Sequence, residues 1–121
     1  MNIILVDDTA DHLELLSEFL QDLRPNATIY CLQDGLELSR WLDETPIDLL
    51  MVDLMMPTIN GFELVRKVRQ NRRWATLPII AVSGLRQSNH RVELEKAGFS
   101  DYIVKPYEIS DLVRVLDHYL P

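Results

Sequence analysis

Three carboxylates, one hydroxyl and one amine stand at the ends of apolar runs in this sequence. Asp7 and Asp8 follow "NIILV", Asp53 closes "LLMVD", Ser83 closes "IIAVS", and Lys105 follows "DYIV". A charge at the edge of an apolar core is costly unless something pairs with it. Carboxylates packed together repel unless one takes a proton or a cation sits among them. An all-oxygen set with no histidine or thiolate beside it suits a hard ion, and Mg²⁺ is the natural candidate because it keeps waters and phosphate oxygens. Lys105 adds positive charge and Ser83 a hydroxyl donor. Such a set can hold a phosphoryl group beside a metal. A carboxylate within it can act as nucleophile and form an aspartyl phosphate. Metal, lysine, serine and backbone amides would then stabilise charge on the transferring oxygens. Taken singly, each residue has an ordinary reading: Asp as turn former or helix cap, Ser83-Gly84 as a loop start, Lys105 as a solvated side chain. Their joint occurrence at four strand ends carries the chemical reading.

The elements that must position these groups follow from periodicity. "NIILVD", "ATIYCL", "DLLMVD", "LPIIAVSG" and "DYIVKP" read as strands, the fourth with Pro78 at its start, where a missing donor is tolerated. Between them lie amphipathic stretches. "HLELLSEFLQDL" repeats Leu13, Leu16, Leu20 and Leu23 at helical spacing, with Thr9 as expected cap and Pro25-Asn26 as breaker. Asp34-Gly35 is expected to open a second helix with Leu38, Trp41 and Leu42 on one face, closed by Pro46. "FELVRKVRQN" reads as the third helix and "HRVELEKAG" as a weaker fourth, its start unfixed between Arg86 and Arg91. "SDLVRVLDHYL" reads as the last, with Ser110 as expected cap. Five βα units with strands apolar throughout imply an α/β doubly wound sandwich, (βα)5, with a parallel sheet and helices on both faces. The common five-strand order, 2-1-3-4-5, makes strands one and three neighbours, so Asp7, Asp8 and Asp53 converge at the carboxyl edge where such sheets bind ligands.

The bulk numbers bound the function. The chain has 121 residues, and one domain spanning 1–121 is expected, with a core that needs no staples. Its net charge of −7 argues against direct nucleic-acid binding and against anionic membrane surfaces. A single cysteine, Cys31, allows no internal disulfide and reads as a small hydrophobe in a reduced compartment. "MNIILVDD" lacks the basic start and apolar length of a signal peptide. No apolar run reaches the length of a membrane span. A cytoplasmic protein is expected.

The motifs in their order resemble the receiver domain of bacterial two-component response regulators, essentially from end to end. The resemblance rests on the acidic pair in "ILVDD", on "VDLMMPTINGFEL", on "AVSG" and on "YIVKP". It is closest in kind to a single-domain, chemotaxis-regulator-like receiver with a flavodoxin-like fold. By this resemblance Asp53 is the phosphoacceptor. Asp7, Asp8, Asp53 and the backbone carbonyl of Met55 form the Mg²⁺ site, Asp8 directly and Asp7 through water. The resemblance makes Ser83 the switch hydroxyl, where Thr is commoner in the family, and Tyr102 the aromatic switch. It places a cis peptide at Lys105-Pro106. The amides of Met55 and Gly84 are expected to face the phosphoryl oxygens with Ser83 and Lys105, and Gly84 leaves that access open. Pro57 and Gly61 are expected to shape the loop into helix three. The family often has "MDG" where this chain has "ING"; Asn60 keeps a turn-forming polar residue there. Met55 and Leu85 hold the variable positions flanking the site. Being apolar, they cannot orient an attacking water, so slow self-dephosphorylation is the hypothesis, and a phosphoryl half-life of seconds would sink it.

The resemblance therefore implies a switch, not an enzyme acting on external substrates. A histidine kinase or histidine phosphotransfer protein would phosphorylate Asp53. A surface near helix four, strand five and helix five would then bind a downstream protein or pair two receivers. A hydrolase working through an aspartyl phosphate is a rival reading, disfavoured because Met55 stands where such enzymes place a second acid. A phosphorylation-independent interaction module of receiver fold is the other rival. A complete regulator and a receiver excised from a hybrid kinase or DNA-binding regulator both remain open. His12, His90 and His118 are expected at surface helical positions. "RKVRQNRR", residues 66–73, reads as the solvated face of helix three or as a dock for an acidic partner, with Trp74 as anchor or loop packing. Met51, Met55 and Met56 read as core or loop packing.

Overall fold

A computed structural model describes residues 1–54, 56, 59–84 and 90–121, with the backbone alone at His90. Five strands form one parallel sheet: β1 (Asn2–Val6), β2 (Thr28–Leu32), β3 (Leu49–Asp53), β4 (Ile79–Ser83) and β5 (Asp101–Val104). Their order is β2-β1-β3-β4-β5, as expected from the sequence. The five α-helices are α1 (Ala10–Leu23), α2 (Leu38–Glu44), α3 (Gly61–Arg69), α4 (His90–Ala97) and α5 (Ile109–Tyr119).

Strand residues alternate between the two faces. Ile4, Val6, Leu50, Val52, Ile79 and Ala81 join one core cluster with α2, α3 and α4. Ile3, Leu5, Leu49, Met51, Ile80 and Val82 join the other with α1 and α5. The three inner strands are thus covered on both sides, which is why they read as unbroken apolar runs. β2 has one neighbour, β1, and lies at the sheet edge.

That edge position corrects the reading of Cys31, which is exposed. Partial desolvation by its neighbours still raises its thiol pKa, and a hydrogen bond with Ser17 partly offsets the shift. Helix entries also differ from the expected ones. Thr9 occupies the N-cap of α1, but its side chain caps nothing there. Its hydroxyl lies 3.5 Å from the Asp8 carboxylate instead. Asp34 accepts from the Leu36 N–H and starts a 3-10 turn, Gly35–Glu37, so α2 begins only at Leu38. Ser110 lies inside α5. Glu108 takes the cap position, and its N–H donates to Asp111 at 2.9 Å.

The basic stretch divides by role. Arg66, Lys67, Arg72 and Arg73 are exposed. Arg69 is half-buried and ties three segments together, donating to the carbonyls of Gly98 at 2.9 Å and Trp74 at 2.6 Å. Arg73 lies over the Trp74 ring at 5.5 Å, so the tryptophan packs the loop here.

Candidate functional site

The sheet order brings the carboxyl ends of β1, β3, β4 and β5 side by side. Val6 pairs with Val52, Asp53 with Val82 and Ser83 with Val104. Asp7 therefore leaves β1 beside Asp53, and Lys105 leaves β5 beside Ser83. Two backbone bonds fix this edge: the Lys105 N–H donates to the Ser83 carbonyl at 2.7 Å, and the Asp7 N–H to the Leu32 carbonyl at 3.1 Å.

Asp7, Asp8 and Asp53 converge as the sequence implies, each offering a carboxylate oxygen within 4.8 Å of the others. Asp7 is buried and Asp8 exposed, and the Asp53 side chain is only 12% exposed. The Lys105 ammonium lies 3.4 Å from Asp7 Oδ2 and 4.0 Å from Asp53 Oδ2. Three carboxylates against one ammonium leave an excess of negative charge, and part of it is shielded from water. A divalent cation would balance it. The acidic residues are all-oxygen donors with Asp8 open to solvent, which fits Mg²⁺ and the waters it retains. The Thr9 N–H donates to Asp7 Oδ1 at 3.0 Å and fixes one carboxylate oxygen.

The remaining expected residues fall into place unevenly. Ser83 is buried at the end of β4. Gly84 is exposed, and a Cβ built there meets nothing within 4 Å among the described residues. Tyr102 is half-buried on β5 and packs against the cluster shared with α2, α3 and α4. The Lys105-Pro106 peptide is cis. Met55, Pro57 and Leu85 lie outside the described residues, so the expectations placed on them stand as sequence readings.

Gly61 has a sharper role than expected. A Cβ there would sit 2.8 Å from the Asp53 carbonyl oxygen and 2.8 Å from Leu54 Cα. Its N–H donates to the Leu54 carbonyl at 2.9 Å. The start of α3 thus lies directly on the backbone that carries Asp53. Asn60 caps this helix, accepting from the Glu63 N–H at 2.9 Å.

One residue of the site was missed by the sequence reading. His12, placed there at the surface, has Nδ1 3.3 Å from Lys105 Nζ and 3.4 Å from Asp7 Oδ2. The signal was its place in the first turn of α1, the helix that follows Asp7 and Asp8. Beside these groups a cavity of about 430 Å³ opens between α1 and the β5–α5 loop, lined by Leu16, Phe19, Met51 and Tyr107. Burial raises the Tyr107 hydroxyl pKa, and the Asp7 charge raises it further.

A family model matches nearly the whole chain. The model described as "Response regulator receiver domain" covers residues 3–117. The chain belongs to this family. Among its relatives, the response regulator ArlR of Staphylococcus epidermidis is 34% identical over 93% of this chain and 49% of its own length. The chain thus spans about half of that regulator. The chemotaxis protein CheY4 of Vibrio cholerae superposes with a TM-score of 0.88 at 25% identity, covering 98% of both chains. The receiver domain of the sensor histidine kinase PA1611 from Pseudomonas aeruginosa superposes with a TM-score of 0.85 at 24% identity, over 98% of this chain and 95% of its own. That structure holds a magnesium ion coordinated in its active-site cleft. The flavodoxin-like receiver fold and the place of this chain in two-component and phosphorelay signalling follow. No helix among the described residues is long and apolar enough to cross a membrane.

Proposed function

We propose that this receiver, a single domain over residues 1–121, accepts a phosphoryl group on Asp53 with Mg²⁺ bound at Asp7, Asp8 and Asp53. The observation that carries the reading is the convergence of three carboxylates with Lys105 at one sheet edge. The Asp53 carboxylate attacks the phosphorus of a phosphohistidine; the P–N bond breaks, and the donor imidazole leaves with the electron pair. Bound Mg²⁺ supplies charge neutralisation for the phosphoryl oxygens. Among the described residues Asp7, Asp8 and Asp53 would hold it, and the Met55 carbonyl completes the set expected from the sequence. The Lys105 ammonium stands 4.0 Å from the Asp53 carboxylate, ready to pair with the charge the phosphoryl group brings. The Ser83 hydroxyl and the amides of Gly84 and Met55 are the proposed donors to the remaining oxygens.

Phosphoryl attachment biases a two-state surface through Ser83 and Tyr102. Tyr102 supports this assignment by being half-buried on β5, the strand that also leads into Lys105. The phosphodonor is a histidine kinase or histidine phosphotransfer protein. The output is contact with a downstream protein or a second receiver, in the cytoplasm. The test is intact mass after incubation with acetyl phosphate. A gain of one phosphoryl group that requires Mg²⁺ and is lost in Asp53→Asn supports the proposal. A gain that persists with EDTA or in Asp53→Asn refutes it.

A further inference from the structure

The neighbours of the Lys105 ammonium define a role for a residue outside the expected site. An ammonium has three donors and no acceptor. Its Nζ lies 3.3 Å from His12 Nδ1, so the imidazole must offer a lone pair there. The ring can do so when its proton is on Nε2. Asp7 Oδ2, 3.4 Å from both the ammonium and His12 Nδ1, is a second acceptor for the same cation. Two Lys105 donors thus face Asp7, at the end of β1, and His12, on α1. The third remains for Asp53 Oδ2, 4.0 Å away, and for whatever oxygen is attached to it.

We propose that His12 is a positioning residue for phosphoryl transfer, acting by fixing the Lys105 ammonium. The proposal rests on the reading of Lys105 under Proposed function. Without His12 the ammonium keeps, among the described residues, Asp7 at 3.4 Å and the more distant Asp53 at 4.0 Å. It is then freer to swing toward solvent, since the Lys105 side chain is one-quarter exposed. The bond is long and His12 is 54% exposed, so the effect is modest. His12→Ala should slow phosphorylation by acetyl phosphate by about three- to tenfold. His12→Asn should recover most of the loss, because an amide oxygen can stand where Nδ1 stands.

Two measurements test this. The first is the double-mutant cycle of His12→Ala and Lys105→Ala on the phosphorylation rate. The proposal expects His12→Ala to have no further effect once Lys105 is gone. If Lys105→Ala slows the reaction and His12→Ala slows it equally in both backgrounds, the positioning role is wrong and the role of Lys105 stands. If Lys105→Ala leaves the rate unchanged, the assignment of Lys105 itself fails and this proposal with it. The second is long-range ¹H–¹⁵N correlation of the His12 imidazole in metal-free protein. The Nε2–H tautomer, with an Nδ1 resonance that moves in Lys105→Ala, supports the proposal. An Nδ1–H tautomer overturns it.

Discussion

Replacing Gly61 with alanine sets backbone propensity against contact, and the two predict opposite signs. Gly98 is the only glycine with a positive φ, so at Gly61 the chain adopts a conformation open to any residue. On propensity alone Gly61→Ala should stabilise by about 0.4–1 kcal/mol, through the unfolded chain. The structure says otherwise. The new Cβ would lie 2.8 Å from the Asp53 carbonyl oxygen and 2.8 Å from Leu54 Cα, against about 3.4 Å for ordinary contact. The shortfall, 3.4 − 2.8, is about 0.6 Å, and both neighbours are backbone and cannot rotate away. Overpacking of this kind costs about 1–3 kcal/mol. The net expectation is a loss of about 1–2 kcal/mol, read as a Tm lower by roughly 4–8 °C. The clash falls on the peptide that follows Asp53, so phosphorylation of the folded variant should also slow. Urea and thermal unfolding of both proteins decide it. A Tm equal to or above that of the parent would refute the claim that α3 starts in contact with the β3 backbone.

Arg69→Met keeps the aliphatic stem but leaves the Gly98 and Trp74 carbonyls without their donor; unfolding should show a loss of about 2–3 kcal/mol, and an unchanged midpoint would contradict the staple. Burial pushes the Asp101 carboxyl pKa up, but hydrogen bonds from Arg114, the Tyr102 N–H and Tyr119 outweigh it and hold it below the ordinary value. A lowered folded pKa gives stability that is full above the unfolded value of 3.8 and is lost as pH falls through the folded one. Asp101→Asn should therefore cost about 1 kcal/mol or less near neutrality, since Arg114 is half exposed, and the difference should fade as the pH drops through the folded carboxyl pKa; a pH-independent difference in urea midpoints would contradict this. Mg²⁺ should raise the Tm of the protein, by about 1.4 kcal/mol of stability at ten times its Kd, and Asp8→Asn should abolish most of that shift; equal shifts in both proteins would remove Asp8 from the site.

Much of this was legible in the sequence for one reason. The inner strands must be apolar on both faces, so a polar residue closing such a run marks the carboxyl edge. Asp53, Ser83 and the residues after β1 and β5 stood out on that ground. The misses also have physical causes. Which face each helix covers depends on crossover geometry, so His12 could be placed on a helix but not over Lys105. The exposure of Cys31, like that of Thr28 on the same edge strand, carried no signal in the sequence. Caps went wrong where several polar residues competed: Glu108 precedes Ser110 by two, and Asp111 answers it from within the first turn. Arg69 resembled its basic neighbours in sequence, and only the turn at Gly98 turned it into an internal donor.

The most direct test of the account is to trap the phosphorylated residue chemically. The protein, treated with acetyl phosphate and Mg²⁺, would be reduced with borodeuteride, which converts an acyl phosphate to a deuterated alcohol, and then mapped by peptide mass spectrometry. The account predicts deuterated homoserine at position 53 and nowhere else. Reduction at Asp7 or Asp8, or a phosphoryl group that resists borodeuteride and maps to Ser83, would contradict it.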